Sequence, residues 1–549
     1  MVVEKEVVKE VEKQVVVEVT PTPPPIPKGG FVTEVSFADA KILNPILASD
    51  SASFDVIGNL FEGLVATHHE TGEIIPWLAE SWEISEDGLT YTFHLRDGLK
   101  WSDGTPLTME DFKFTYDAIA SDKVETPRKD NVALIESIEV PDPLTAVVKF
   151  KEVDCTALQN LGLGILPKHK FAEDFSDIMT SEFNTAPDIS SGPFIFKEWV
   201  KDDHVTLVRN DLYWRGAPNL DGWIYRIVPD STSAVAALRT GEVDIYDGVD
   251  VQFLTTLEME PHLELFKYLD DGYDYIGFNL ANPENPQPGR DEEGNVIVQD
   301  PHPILSDKLV RQAIVYAIDR PTVINRVFMG QGLPLNANVL PAVEWAYNDE
   351  LETREFSPEK AAELLDQAGW VLNEETGIRE KDGQPLRLRL ATNAGNVQRE
   401  DLGVLVQDQL KDVGIDVQFE AIEWNSFLDL LLNQTFDMII IGWTGLGTDP
   451  DDSSFWHTRY DIPGSGFNFV SFSNSEVDEL LDKGRSLPGC KVEDRAPIYK
   501  RIQEIIYDEQ PYNFIRVRLS TLAYNKRIGN FQPGPWGYGW NINEWYIKE

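Results

Sequence analysis

Eight histidines, two cysteines and a surplus of carboxylates are the residues of this chain that could do chemistry, and their spacing speaks against most of it. The histidines are scattered, His68-His69 is the one adjacent pair, and no HExxH or other helical metal spacing occurs. There is no GxSxG nucleophile elbow, no phosphate-cradling GxxxxGK loop and no CxxC. Asp449, Asp451 and Asp452 could gather round a calcium ion. They lack the alternating ligands and the glycine of a calcium loop, so the expectation is a turn with solvated carboxylates and no metal. A glycosidase-type carboxylate pair needs one raised pKa, and nothing in the sequence singles one out. A cleft glycoside hydrolase is therefore only the alternative from the enzyme class, and no cofactor is expected. Cys155 and Cys490 allow one disulfide or two buried thiols, and the sequence leaves both open.

The positive signal is aromatic. Among fourteen tryptophans, Trp443 follows the apolar run Met438–Ile441 and opens the loop Gly442-Trp443-Thr444-Gly445. Ligands of open α/β sheets sit beyond the carboxyl ends of the strands, which places a site at Gly442–Asp452, with Trp424 nearby. The C-terminal cluster Trp536, Tyr538, Trp540 and Trp545 reads as hinge or core packing.

The elements that must position these residues can be read from periodicity. Ser81–Ser85 and Leu89–Leu95 flank the turn Glu86-Asp87-Gly88 as a hairpin, and Tyr91, Phe93 and Leu95 share a face. Thr108 then caps a helix, with Asp111 as an approximate capping box and Met109, Phe112, Tyr116 and Ile119 on one face. Phe31–Ser36 is a first strand, followed by a helix over Phe54–Leu64. Ile224–Val228, a helix capped by Ser231 and closed by Gly241, and Val243–Ile245 form a strand-helix-strand unit with parallel strands. Leu386–Leu390, Gly414–Phe419 and Met438–Ile441 are strands of a second such region, with helices at Val397–Leu410 and Asn425–Leu432.

With 549 residues the chain needs two or three lobes. Its net charge of −46 excludes nucleic acid and anionic lipid as partners. That charge fits the solubilising surface of a secreted protein or an acidic cleft for a cationic ligand. No run of eighteen apolar residues occurs, so no membrane span is expected. Residues 1–20 repeat Val-Glu-Lys words and a Pro-rich spacer follows; together they read as a tether between a lipid-anchored terminus and the body. Neither a signal peptide nor the lipid-bearing cysteine is in the chain, so that anchor is an inference.

The string Leu78–Ile119 resembles the signature block of the family 5 extracytoplasmic solute-binding proteins, which serve peptide, nickel and oligosaccharide ABC importers. So do Ser191–Trp199, Leu207–Asp221, Ala237–Ile245, Val310–Arg320 and the Glu-Trp and Gly-Trp pairs at Trp424 and Trp443. The resemblance implies an α/β, class II periplasmic-binding-protein-like bilobal fold with an inserted α+β subdomain. It divides the chain into a tether (1–30), lobe I (31–52), the inserted subdomain II (53–190), lobe I again (191–275), lobe III (276–515) and the end of lobe I (516–549). It also implies hinge closure on a ligand, an ABC permease and ATPase as partners, an extracytoplasmic monomer and no catalysis.

Peptide-binding relatives place an aspartate after the Gly-Trp pair for the peptide amine, where this chain has Leu446. Arginines that meet ligand carboxylates are matched by Leu431 and Ile440. An aliphatic side chain cannot pair a buried charge. The reading is thus a neutral oligosaccharide stacked on Trp424 and Trp443 and hydrogen-bonded by Asn393, Asn396 and Thr444, with Gly445, Leu446, Ser53 and Phe54 completing the site. A peptide held by relocated charge partners is the alternative, and a sensory lipoprotein that has lost transport is a third.

Overall fold

The computed structural model describes residues 26–548. For residues 1–25 the tether reading lies outside the described residues. Residues 29 and 30 are pinned to the body: Gly29 N–H donates to the Asn219 carbonyl at 2.7 Å and Gly30 N–H to Asp221 Oδ2 at 2.9 Å.

One mixed sheet of eleven strands runs through the molecule. Its spine is a pair of long antiparallel strands, Leu263–Phe278 and Tyr512–Asn525. Ile245–Tyr246, Phe31–Ser36, Gly222–Ile227, His204–Arg209 and Phe194–Val200 extend the sheet on one side. Met438–Trp443, Arg387–Asn393 and Asp416–Ile422 extend it on the other, and the short Gly332–Pro334 pairs with the second spine strand as the eleventh. The two groups grip different ends of the spine. Ile245–Tyr246 pairs with Ala523 and Tyr524, whereas Met438–Trp443 pairs with Tyr273–Phe278. Between those ends the ladder breaks: Leu269 faces Leu519 and Tyr273 faces Val517, so Asp270, Asp271 and Gly272 oppose Arg518 alone. A bulge bends a strand and weakens its pairing, which makes this the expected hinge of the two-lobed fold.

Where Met438–Trp443 pairs with the spine the sheet is buried on both faces, as a sheet covered by helices requires, while the outer strand Asp416–Ile422 is partly exposed. Tyr273, Tyr275, Ile439 and Ile441 enter one core, and Ile276, Phe278, Met438 and Ile440 the other. The signature block folds as read. Thr108 and Asp111 form a reciprocal capping box, and the buried Asp111 also accepts the Lys168 N–H at 3.0 Å. The helix Met109–Ala120 shares a core with a separate four-stranded sheet, Ala79–Ile84, Thr90–Leu95, Thr145–Phe150 and Ile135–Asp142.

Three expectations shift. The first helix is Ser51–Ile57, not Phe54–Leu64, because Asp50 caps it by accepting the Ser53 N–H at 2.9 Å. Asp230, not Ser231, caps the next predicted helix, accepting the Ser233 N–H at 2.7 Å, while Gly241 does end it in the left-handed region at φ 76°. The strands that this helix joins are parallel but not adjacent, since Phe31–Ser36 lies between them. No helix among the described residues is long and apolar enough to cross a membrane.

Candidate ligand-binding cavity

A cavity of about 910 Å³ lies beside the hinge and is lined from both halves of the sheet. Its size is at the upper end of the range of about 300–1,000 Å³ usual for ligand clefts. Trp443 is the last residue of its strand, which runs two residues beyond the predicted end. Its ring stacks on Phe455 at 4.1 Å and Phe469 at 5.3 Å, and Phe467 meets it edge-on at 5.7 Å. Trp424 opens the helix Trp424–Leu432, where Glu423 accepts the N–H groups of Asn425 and Ser426 at 2.9 and 3.0 Å. Phe37 holds the Trp424 ring edge-on at 5.0 Å.

Thr444, Gly445, Leu446, Asn393, Asn396, Phe54 and Leu431 line the same cavity. Two residues of the expected site do not. Ser53 is buried, its Oγ accepting the Lys41 N–H at 2.9 Å and donating to Asp50 at 2.7 Å. Ile440 points into the core behind the sheet, because alternation along the strand sends only Ile439 and Ile441 the other way. The two asparagines are already engaged. Asn393 Oδ1 accepts from Arg399 Nη1 at 2.8 Å, and Asn396 Oδ1 caps the helix Val397–Asp412 through the Arg399 N–H at 3.0 Å. Both oxygens thus serve Arg399; the hydrogen-bonding groups that remain to a ligand are the side-chain amide NH2 donors.

The charged wall of the cavity escaped the sequence reading. Arg518 Nε donates to Asp270 Oδ2 at 2.9 Å and Nη1 to Asp274 Oδ1 at 3.2 Å, while Nη2 donates to the Trp443 carbonyl at 2.7 Å. Arg516 Nε donates to the other Asp274 oxygen at 2.9 Å. This network bridges the hinge and fixes the backbone of Trp443. It also explains two glycines. A Cβ on Gly442 would lie 2.4 Å from Arg518 Nη1, and one on Gly272 would lie 2.1 Å from the Trp443 carbonyl oxygen. The sequence carries only the i, i+2 spacing of Arg516 and Arg518 as a signal; the pairing that sets them opposite Asp270 and Asp274 comes from the fold.

Across the cavity, Glu34 accepts from Trp223 Nε1 at 3.1 Å and from the Tyr538 hydroxyl. Desolvation, with Asp247 and Asp50 as neighbours, raises Asp55 to about 7, and burial raises Asp247 to about 6. Trp536 and Tyr538 line the cavity, while Trp545 is core.

The acidic cluster is not a solvated turn. Asp449 accepts from Arg495 at 2.6 and 2.8 Å, and Asp452 is buried and accepts from Asn338 at 3.0 Å. Asp451 approaches Arg485, which also engages Asp130 and holds both oxygens of Asp154 at 3.0 and 3.1 Å. Beside it Cys155 and Cys490 are disulfide-bonded, with their Cα atoms 5.4 Å apart, and the Cys155 N–H donates to the Arg485 carbonyl at 2.9 Å.

Burial raises Asp452, Asp461 and Glu62 each to about 7. In the unfolded chain these groups titrate near 3.8 for aspartate and 4.5 for glutamate. Between those values the folded state holds more protons, so this contribution is complete at acid pH and is lost as pH rises through about 7. Moving from about pH 5 to about pH 8 is thus expected to cost up to about 1.4 kcal/mol per group and pH unit. A urea midpoint that falls across this range checks the prediction, and one that rises contradicts it.

A hinged sheet with an aromatic and charged cavity between its halves is the architecture of a ligand-capturing protein. The chain belongs to the bacterial extracellular solute-binding proteins, family 5, whose middle-region model matches residues 73–462. It is 30% identical over 529 residues to the oligopeptide-binding protein AppA of Bacillus subtilis, covering 95% of this chain and 92% of that protein. To the dipeptide-binding protein of Escherichia coli it is 26% identical over 522 residues, 90% of each chain. Its fold superposes on AppA in complex with a nonapeptide with a TM-score of 0.86, at 29% identity over 96% of this chain and all of that one. It superposes on NikZ of Campylobacter jejuni in complex with Ni(L-His) with a TM-score of 0.81, at 26% identity over 94% and 99% of the two chains.

Proposed function

We propose that the protein captures oligopeptides in this cavity, outside the cytoplasmic membrane, and hands them to the permease and ATPase of an ABC importer. The observation that carries the reading is the presence of both signs of charge in one cavity. Carboxylates such as Asp247 and Asp271 line it together with Arg128 and Arg399. A peptide brings an ammonium and a carboxylate to such walls, whereas a neutral sugar would leave them unanswered. AppA and the dipeptide-binding protein, named for peptides, support the same choice. The reading includes the lobe boundaries given above, a monomer, and a lipid tether through residues 1–30.

A thermal-shift comparison of short peptides, maltooligosaccharides and nickel–histidine tests it. A ligand at about a hundred times its Kd adds roughly 2.7 kcal/mol to stability. Peptides are expected to raise the melting point; a rise with the sugar alone would overturn the reading. Trp443→Ala removes the ring that closes the aromatic wall and is expected to weaken peptide binding by about 2 kcal/mol, some thirtyfold. Unchanged affinity by calorimetry would take Trp443 out of the site.

A further inference from the structure

Arg128 is an uncompensated cation at the cavity wall. Among the arginines that line the cavity, Arg516 pairs with Asp274 and Arg518 with Asp270, whereas Arg399 has Asn393 Oδ1 as its side-chain partner and, among the described residues, no ion pair. Arg128 forms no such pair among the described residues, and burial alone lowers its pKa to about 10. Its Nη2 donates to the Ala48 carbonyl at 3.0 Å, and its buried Nε has no hydrogen-bond partner. The guanidinium lies over Phe54, 4.7 Å from the ring centroid, and 5.4 Å from that of Phe467. Both rings line the cavity, as does Arg128 itself.

The local backbone is fixed for this pose. Arg128 N–H donates to Thr126 Oγ1 at 3.0 Å, and the Thr126 hydroxyl donates to the Ile46 carbonyl. The nearest carboxylate in sequence, Asp130, is committed to Arg485 and to the Tyr460 hydroxyl. In a chain with 93 acidic residues, a deep guanidinium left without one is costly unless something else completes it. Stacking between rings keeps the planar fork oriented and leaves its free edge for a planar anion.

We infer that Arg128 is the specificity residue that receives the terminal carboxylate of the bound peptide. This rests on the peptide reading above and adds the end of the ligand that is recognised and the residue that does it. A carboxylate there would accept charge-assisted hydrogen bonds from the fork, and an amidated terminus would not.

The test uses the full chain and two pools of short random peptides, identical except that one has free and the other amidated C-termini, titrated into wild type, Arg128→Met and Arg128→Lys. Wild type is expected to prefer the free-acid pool by about tenfold or more, the usual worth of a hydrogen bond to a charged group. Arg128→Met is expected to lose that preference, so that the free-acid and amidated pools bind it alike. Equal binding of both pools by wild type, or a preference that survives in Arg128→Met, overturns the assignment and leaves the peptide reading intact. Binding of neither pool removes the peptide reading and the assignment with it. If Arg128→Met does not fold, Arg128→Lys decides: it keeps the charge without the fork, so a reduced preference supports the role and an unchanged one overturns it.

Discussion

Replacing Arg518 by methionine is expected to destabilise the protein by about 3–5 kcal/mol, the cost of removing one partner from a buried ionic network. Asp270 and Asp274 would then sit at the hinge with Arg516 as the remaining bonded guanidinium, and the Trp443 carbonyl would lose its donor. Both carboxylates are held below the usual range despite burial: Asp270 chiefly by Arg518, Asp274 by Arg516 and then Arg518. The variant should therefore bind peptide more weakly and gain stability on mild acidification, as the released carboxylates take up protons. Urea denaturation at two pH values measures both effects. A loss below about 1 kcal/mol would mean that the network contributes no more than a surface ion pair.

Cys490→Ser, or reduction of the native protein, is expected to produce the second large effect. Cys155 follows the four-stranded unit whose core includes Val32 and Trp223 of the first half. Cys490 lies between two helices whose Val477, Leu481, Ile498 and Tyr499 pack in the core of the second. The bond therefore ties the halves together independently of the spine strands, across a sequence separation of 335 residues. Its loss should cost about 2–5 kcal/mol. More diagnostic is the kinetic result: ligand should leave faster once the second tie is cut, while Arg485 still pairs with Asp154 across the same rim. Stopped-flow dissociation with and without reductant reads this directly, and identical rates would show that the bond does not restrain opening.

Much of the scaffold was legible because local signals were strong. The capping box Thr108/Asp111, the left-handed Gly241 and the alternation of Tyr91, Phe93 and Leu95 are each set by residues near one another in sequence. Trp443 was found because a sheet presents its strand ends to ligand. The charged wall was not legible, since Arg518 meets Asp270 only through a pairing of strands more than two hundred residues apart. Ile440 was matched by position to a charged residue of relatives, but a one-residue change of phase on a strand exchanges cavity for core. The acidic cluster looked solvated because its partners, Arg485 and Arg495, come from a later helical segment.

The two close-packed glycines divide the binding wall into a part that is frozen and a part that is free. Gly272 and Gly442 admit no side chain, because Arg518 and the Trp443 backbone occupy the space a Cβ would need. Thr444, two residues beyond Gly442, is exposed, and Leu446 is half-buried at the cavity. On the proposed reading, a change of ligand preference is expected to come through the side chains at 444 and 446, which can vary without disturbing the Arg518 network, and not through 442.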